Sequence, residues 1–462
     1  MNRLLETPLA AAPTFLDRPA VLAPDRAWTW REVHGASIEL AERLPADAAV
    51  CNLCDSRVGF LVTLLAALRR GCMQILPPST GRAEMVAILR SCTRPVVVVD
   101  EAASESIWAG HALCVLQAPM SQSVRHADSA LAWLTAGDAD ALLVRLYTSG
   151  STGTPTPQTK TLGELSRGAH VLAGRVNEEV EGGIHALTHV ICSVPSQHMF
   201  GLETSVMLPL VTGIPVREGS PLLPADVQAA FARGVSGGAW VATPLHLRAL
   251  GLSGVTLRGC ALVLASTMPL SAAVAAQAET LSGAPVMEIY GSTETGMVAM
   301  RRTALQGAWR PVDGVRIEPM EAGARVWGAH FPSPQTLADR VELDAGGGFT
   351  LLGRDADLIK IGGRRASLAS LNRLLEDLPG LTDGLFYLPA SGSGTQRLVL
   401  IHAGPPLDAA ATRRWLRSRM DPLFLPRALI CVERLPRTAA GKLPRAALDA
   451  LYDAYRVSKE AR

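Results

Sequence analysis

The sequence predicts an α/β protein in two parts: a large N-terminal domain of βαβ-type sheets with helices, residues 1–353, and a small α+β C-terminal domain, residues 354–462. Three observations lead there. Short β-branched runs alternate with helical patterns, the signature of parallel strands covered by helices. The glycine run Gly346-Gly347-Gly348 marks a change of pattern, after which Phe349-Thr350-Leu351-Leu352 runs into Gly353-Arg354-Asp355 and a segment with helices of its own. With 462 residues, 48% hydrophobic and 19% charged, the chain can bury a large core.

The first helix falls over 31–44, where Val33, Ile38, Leu40, Ala41 and Leu44 form an apolar face. A buried helix follows over 58–68, stopped by Arg69-Arg70 and Gly71. Pro95-Val96-Val97-Val98-Val99-Asp100 reads as a strand covered on both faces. Similar strands recur at 190–194, 239–242 and 261–264, with helical stretches between. Beyond the boundary at 354–357, Leu368, Leu371, Leu375 and Leu378 share one helical face ended by Pro379-Gly380, and Leu407, Ala411 and Trp415 share another.

Composition removes several functions. Lysine plus arginine is 44 against 42 aspartate plus glutamate, a formal charge of +2, without the basic excess of a nucleic-acid binder. Eight cysteines are too sparse for a disulfide scaffold. The best apolar stretch, 59–68, is far short of the roughly 20 residues a membrane-spanning helix needs. The first residues place Glu6 and Pro8 where a signal peptide has an apolar run, so the expected location is cytoplasmic. Cys51 and Cys54, lacking a second pair or nearby histidines, read as core cysteines. Trp28 and Trp30 read as cover for a core edge, and Arg301-Arg302 as solvated.

Four segments carry chemistry. Leu146-Tyr147-Thr148-Ser149-Gly150-Ser151-Thr152-Gly153-Thr154-Pro155 packs hydroxyls and glycines behind an apolar strand. Glycines bring backbone amides close to an anion, and hydroxyls add donors for phosphate oxygens. The same composition serves an ordinary polar turn, and it is neither a Walker A loop nor a dinucleotide fingerprint. In Glu288-Ile289-Tyr290-Gly291-Ser292-Thr293-Glu294-Thr295-Gly296, a ring that can stack on a base stands near a carboxylate that can hold Mg²⁺. Taken alone, it is equally a strand-end turn with a solvated glutamate. The third segment, Gly353 through Arg365, and the fourth, Leu435-Pro436-Arg437-Thr438-Ala439-Ala440-Gly441-Lys442-Leu443-Pro444-Arg445, each hold a cation in a loop, as many solvated surfaces do.

In this order and spacing, the four resemble the adenylate-forming superfamily of acyl- and aryl-CoA synthetases, non-ribosomal peptide adenylation domains and luciferases. The resemblance covers about residues 28–445. It implies an N-terminal adenylation core that includes a smaller barrel-like portion, and a mobile C-terminal lid. It further implies ATP and Mg²⁺ as cofactors, and a carboxylate activated as its acyl-adenylate before transfer to a pantetheine thiol. By resemblance, Thr148, Ser149, Gly150, Ser151, Thr152 and Gly153 close over the ATP phosphates. Glu288, Tyr290, Gly291 and Ser292 line the adenine; Thr293 contacts the α-phosphate; Glu294 binds the metal; Asp339 and Arg354 hold the ribose. Lys442 matches the catalytic lysine, and His198 a position beside the acyl carboxylate, with Phe200 and Gly291 also near the acid. Lys360, Gly362 and Gly363 line the thiol tunnel once the small domain turns about a hinge at 354–357.

The chain departs from the family at Thr156-Pro157, where Lys-Gly is usual and Lys160 comes slightly later, and at the hinge, where Ala356 stands. Gly362 and Ser367 stand where arginine and glutamate are common, and Asp339 follows Leu337-Ala338 instead of Thr-Gly. After His198 there is no aspartate to pair with a substrate ammonium, only Glu203, so the expected substrate is a carboxylic acid without an α-amine. The short chain and the Thr-Pro-Gln-Thr-Lys variant are similar to small ligases of bacterial aryl polyene and xanthomonadin pigment clusters. This implies a hydroxybenzoate-like acid delivered to an acyl carrier protein, which Arg413, Arg414 and Arg417 could meet; they also suit a solvated helix face. The alternatives are an aryl- or fatty-acyl-CoA ligase using free CoA, and a degenerate nucleotide- or acyl-binding module.

Overall fold

The structure is a computed structural model that describes residues 15–77, 82–101, 108, 110, 112, 114–119, 142–149, 155–233, 235–305, 307–354, 358–361, 364–375, 377–389, 397–437 and 443–460. Two large sheets organise the N-terminal part. One runs in the order Cys114–Gln117, Pro95–Val99, Ala49–Asn52, Met73–Leu76, Leu142–Ser149, Pro155–Thr161, parallel except for the last strand. The other is built around the parallel strands Val216–Arg217, His189–Cys192, Gly238–Ala242, Cys260–Ala265 and Val286–Ser292, then turns antiparallel at Gly296–Arg302 and Arg310–Pro311. The strands Pro19–Leu22 and Ala27–Thr29 complete its far edge.

Local signals place the helices that cover these sheets. Helix Trp30–Arg43 opens with a reciprocal cap, Thr29 accepting from Glu32 N while the Glu32 carboxylate accepts from Thr29 N at 2.7 Å. Helix Arg57–Arg70 starts at Ser56 and stops at Gly71, whose φ of 67° suits glycine. One apolar cluster takes Val50, Val96 and Val144 from the first sheet and Val190, Val241 and Leu264 from the second, so the two sheets share a core. Trp30 lies fully inside it rather than at an edge, because it opens the helix that packs down on the core.

Beyond the second sheet, the antiparallel strands Arg316–Pro319, Ala324–Trp327 and Gln335–Leu337, and the pair Asp339–Leu343 and Phe349–Arg354, wrap one apolar cluster centred on Trp309, Val326 and Phe349. The C-terminal unit has its own sheet, Asp383–Tyr387, Val399–Ala403 and Leu429–Val432, and its own cores. Its helices include Leu368–Leu375, Ala409–Arg417 and Arg445–Glu460. Leu407 precedes the helix on which it was expected, because Asp408 caps it by accepting from Ala410 N and Ala411 N; Leu407 still packs on the core. Among the described residues, no helix is long and apolar enough to cross a membrane.

Candidate active site

Open parallel sheets bind ligands beyond the carboxyl ends of their strands. In the second sheet, His189–Cys192 leads to His198, and Val286–Ser292 leads to Glu294, at the same sheet end. The turn after the latter strand is closed from within. Thr295 N donates to Ser292 Oγ at 3.3 Å, and Ser292 N to Thr295 Oγ1 at 3.2 Å. A Cβ on Gly291 would strike the Gly296 carbonyl, and Gly296 has φ +66°. Gly291 is exposed, while Ser292, Thr293 and Glu294 are half-buried.

The Tyr290 ring packs against Trp309 at 5.4 Å and Phe349 at 5.9 Å between centroids, and its hydroxyl donates to Asp339 Oδ2 at 3.0 Å. Asp339 stands directly opposite Arg354 in strand register. Three residues predicted for base and ribose contacts, from positions 290, 339 and 354, thus meet on the backbone of two neighbouring sheets.

Glu288 does different work from the adenine contact expected of it. It is buried, and its carboxylate accepts from Leu270 N at 3.0 Å, Arg301 Nε at 2.8 Å and Thr303 Oγ1 at 2.7 Å. With its oxygens engaged inside the protein, it supports the hairpin from behind. Arg301 and Arg302 are likewise not solvated. Arg301 faces Glu288 across the register and lies over Trp309, and Arg302 makes a two-point pair with Glu279.

His198 precedes the short helix Met199–Leu202 and is half-buried; Phe200 is buried. Gly201 is required there, since a Cβ would collide with the Pro195 carbonyl. The helix continues through a π turn, Glu203–Met207, a distortion frequent at functional sites. Behind the turn at 195–198 lies a residue that sequence reasoning missed. Arg57, 3% exposed, donates to Ser196 Oγ, to Ser205 Oγ at 3.0 Å, to Cys192 O at 2.9 Å, to Val194 O at 3.3 Å and to Ser220 Oγ at 3.0 Å. It belongs to the helix over the first sheet, yet it holds loops of the second.

The hydroxyl-rich loop is framed by a hairpin in which Thr148 opposes Thr156 and Ser149 opposes Pro155; Gly150, Ser151, Thr152 and Gly153 lie outside the described residues. Lys160 sits farther along this hairpin, 3% exposed, and its ammonium donates to the main-chain oxygen of Glu294. Glu164 Oε1 is 3.7 Å from the same ammonium. Burial lowers the Lys160 pKa against the pull of Glu164, Glu203 and Glu294. Glu203 is buried too, and burial raises its carboxyl to about 7 against the Lys160 charge and the Met297 N–H. Lys360 is exposed on strand Leu358–Ile361; Gly362, Gly363 and Lys442 lie outside the described residues.

The metal expected here is Mg²⁺. Among the described residues the Glu294 carboxylate has no hydrogen-bond or ion-pair partner, and no group of three His, Cys, Asp or Glu surrounds it. One free hard carboxylate fits a cation that arrives with phosphates and takes only one or two protein ligands. It does not fit a resident metal held by a full protein cage.

Two large sheets sharing a core, with the Tyr290–Asp339 contact and the Glu294 turn at one sheet end, form the fold of the adenylate-forming superfamily. Residues 9–324 match the family described as AMP-binding enzyme, and the chain belongs to that family. It is 27% identical to AMB antimetabolite synthetase AmbB of Pseudomonas aeruginosa, over 93% of this chain and 37% of that protein. It is 27% identical to a 4-coumarate–CoA ligase of Cereibacter sphaeroides, over 64% of this chain and 69% of that one. It is 25% identical to p-hydroxybenzoic acid–AMP ligase FadD22 of Mycobacterium tuberculosis, over 94% and 66%. The chain therefore spans about a third of the first relative and about two thirds of the other two. In fold it is similar to the anthranilate CoA ligase AuaEII in complex with anthranoyl-AMP, with a TM-score of 0.81, 16% identity and 98% of both chains covered. It is also similar to ATP-bound MatB from Rhodopseudomonas palustris, with a TM-score of 0.80, 20% identity, and 98% and 99% covered.

Proposed function

We propose that this protein uses ATP to activate an aromatic, hydroxybenzoate-like carboxylic acid as its acyl-adenylate and passes the acyl group to the pantetheine thiol of an acyl carrier protein. The observation that carries the reading is the meeting of Tyr290, Asp339 and the Arg354 backbone beside the turn that presents Glu294. The names of two relatives, a p-hydroxybenzoic acid–AMP ligase and a 4-coumarate–CoA ligase, support an aromatic acid. The similar pigment-cluster ligases support a hydroxybenzoate starter and a carrier protein. An α-ammonium is disfavoured because no aspartate follows His198 and Glu203 already faces Lys160 and Met297 N–H; a buried charge without a partner is costly.

The chemistry needs opposed charges brought together. A carboxylate oxygen bonds to the α-phosphorus while the bond to the bridging oxygen breaks and pyrophosphate leaves with the electron pair. In this reading His198, half-buried, orients the acid, the buried Phe200 meets its flat ring, and the Thr293 hydroxyl donates to the α-phosphate. The hydroxyl-rich segment Thr148 to Gly153 would close over the outer phosphates, as the resemblance implies. Mg²⁺, when bound through Glu294, supplies a hard positive charge near the phosphates. Lys442 would supply a cation for the charge that develops at the transition state. The thiol, giving up its proton, then displaces AMP, with Lys360, Gly362 and Gly363 lining its approach after the lid, residues 354–462, turns. Closure of that kind keeps water from the anhydride.

The test is pyrophosphate release with a panel of benzoates, cinnamates and fatty acids, followed by mass spectrometry of thioesters formed with CoA and a carrier protein in parallel. Release with hydroxybenzoates and acyl-carrier product supports the reading. CoA thioester alone assigns free CoA as acceptor, and binding without release assigns a degenerate module.

A further inference from the structure

We infer that Lys160 is a positioning residue that fixes the Glu294 turn for the nucleotide-borne divalent cation and ties that turn to the hairpin carrying the hydroxyl-rich loop. The inference deepens the proposed function and rests on it. Its basis is local geometry. A lysine ammonium has three donors and no acceptor, and burying it is expensive unless each donor is used. Here the ammonium lies under the turn and donates to the main-chain oxygen of Glu294 itself. Hydrogen bonds from an ionised donor are roughly twice as strong as neutral ones.

The lysine is in turn held on its own side. It immediately precedes Thr161, the cap of helix Leu162–Glu179, where Glu164 Oε2 accepts from Thr161 N at 2.7 Å. The other oxygen of Glu164 is the one 3.7 Å from the Lys160 ammonium. One carboxylate therefore caps the helix and orients the lysine. The far end of the turn is held by Glu203, whose carboxylate accepts from Met297 N, and by His330. Glu203 packs so close to Gly296 that a Cβ there would lie 2.5 Å from its Oε1, and the Met297 oxygen is 2.7 Å from His330 Nε2. With its backbone held at both ends and its carboxylate free, Glu294 has the form of a metal ligand oriented from behind.

Lys160 comes after the position where the family places a lysine, and its ammonium points away from solvent, into the protein. The geometry assigns it to the Glu294 backbone rather than to direct phosphate contact.

Loss of an outer partner of a metal ligand typically lowers metal affinity about 10–100-fold. The experiment titrates Mn²⁺ into protein holding a nonhydrolysable α,β-methylene ATP, reading free Mn²⁺ by electron paramagnetic resonance. Analogue affinity without metal is measured by calorimetry. Lys160→Met should lose about 10–100-fold in Mn²⁺ affinity with metal-free analogue affinity unchanged. The double variant Lys160→Met/Glu164→Gln removes the carboxylate that lies 3.7 Å from the lost ammonium, keeps an oxygen that can cap Thr161 N, and should show the same loss. Mn²⁺ affinity within about twofold of the parent in either folded variant overturns the inference, because an outer partner should cost at least tenfold. A parallel fall in metal-free analogue affinity, or failure of both variants to fold, also overturns it, since Lys160 would then serve the fold at large. Absence of metal-enhanced analogue binding in the unaltered protein sinks the proposed function instead, so the two failures are distinguishable.

Discussion

Replacing Arg57 with methionine tests whether the turn leading to His198 is held from the neighbouring sheet. The guanidinium serves five acceptors, but not all are stranded by its loss. Ser205 Oγ still donates to Gly201 O, and Val194 O still accepts from Cys192 Sγ. Ser220 is exposed and water can serve it, which leaves Cys192 O and Ser196 Oγ without their side-chain donor in a buried setting. Each buried group left unsatisfied costs about 1–3 kcal/mol, so Arg57→Met should destabilise the N-terminal part by about 2–6 kcal/mol. Urea unfolding followed by tryptophan fluorescence suits the measurement, because Trp240 is buried and its indole N–H donates to Ser193 Oγ at 2.9 Å, beside the same strand end. The acid KM should rise in parallel as the turn at 195–198 loosens. A loss below about 1 kcal/mol with an unchanged KM would refute the assignment of Arg57 as the support of this turn, because one stranded buried group alone should exceed it.

Tyr290→Phe removes the hydrogen bond to Asp339 while keeping the ring; a bond to a charged acceptor at about 1.5 kcal/mol predicts roughly tenfold weaker ATP binding by calorimetry, with thermal stability little changed. Lys442→Ala should cut pyrophosphate release by about 10²–10³ while ATP still binds, and Gly363→Trp should spare pyrophosphate release yet block thioester formation; equal loss in both half-reactions would contradict a rotating lid. Burial raises the Glu279 carboxyl, but the Arg302 guanidinium and Val286 N–H lower it more, so its pKa lies below the usual value. Its stabilising contribution is therefore present at neutral pH and lost as pH falls through the folded value, and Glu279→Gln should flatten the acid limb of stability, read as melting temperature against pH.

The strands were readable because burial on both faces leaves a bare β-branched run, as at Pro95–Val99, which needs no partner to identify it. The end of the helix Arg57–Arg70 was readable from Gly71. The approach of Tyr290 to Asp339 was expected only through resemblance, since nothing local in the sequence links the two. Arg57 was invisible for a physical reason: its acceptors are carbonyls and hydroxyls about 135 to 163 residues away, and such groups leave no compositional trace. Arg301 and Arg302 were misread because adjacent arginines look solvated until strand register sets Arg301 opposite Glu288. The same register explains why Glu288, inside a motif rich in ligand-type residues, faces inward.

The edge of the larger sheet has a consequence for how the chain is made. Strand Pro19–Leu22 emerges early, yet its parallel neighbour is Val216–Arg217, with Val21 beside Val216. At synthesis rates of about 5–20 residues per second, roughly 10–40 s separate the two on a ribosome. During that interval the smaller sheet can assemble first, while the apolar Ala20 and Val21 wait without their mate. A chaperone that shields the nascent segment around Ala20 and Val21 should therefore raise the yield of this protein more than one acting on the finished chain.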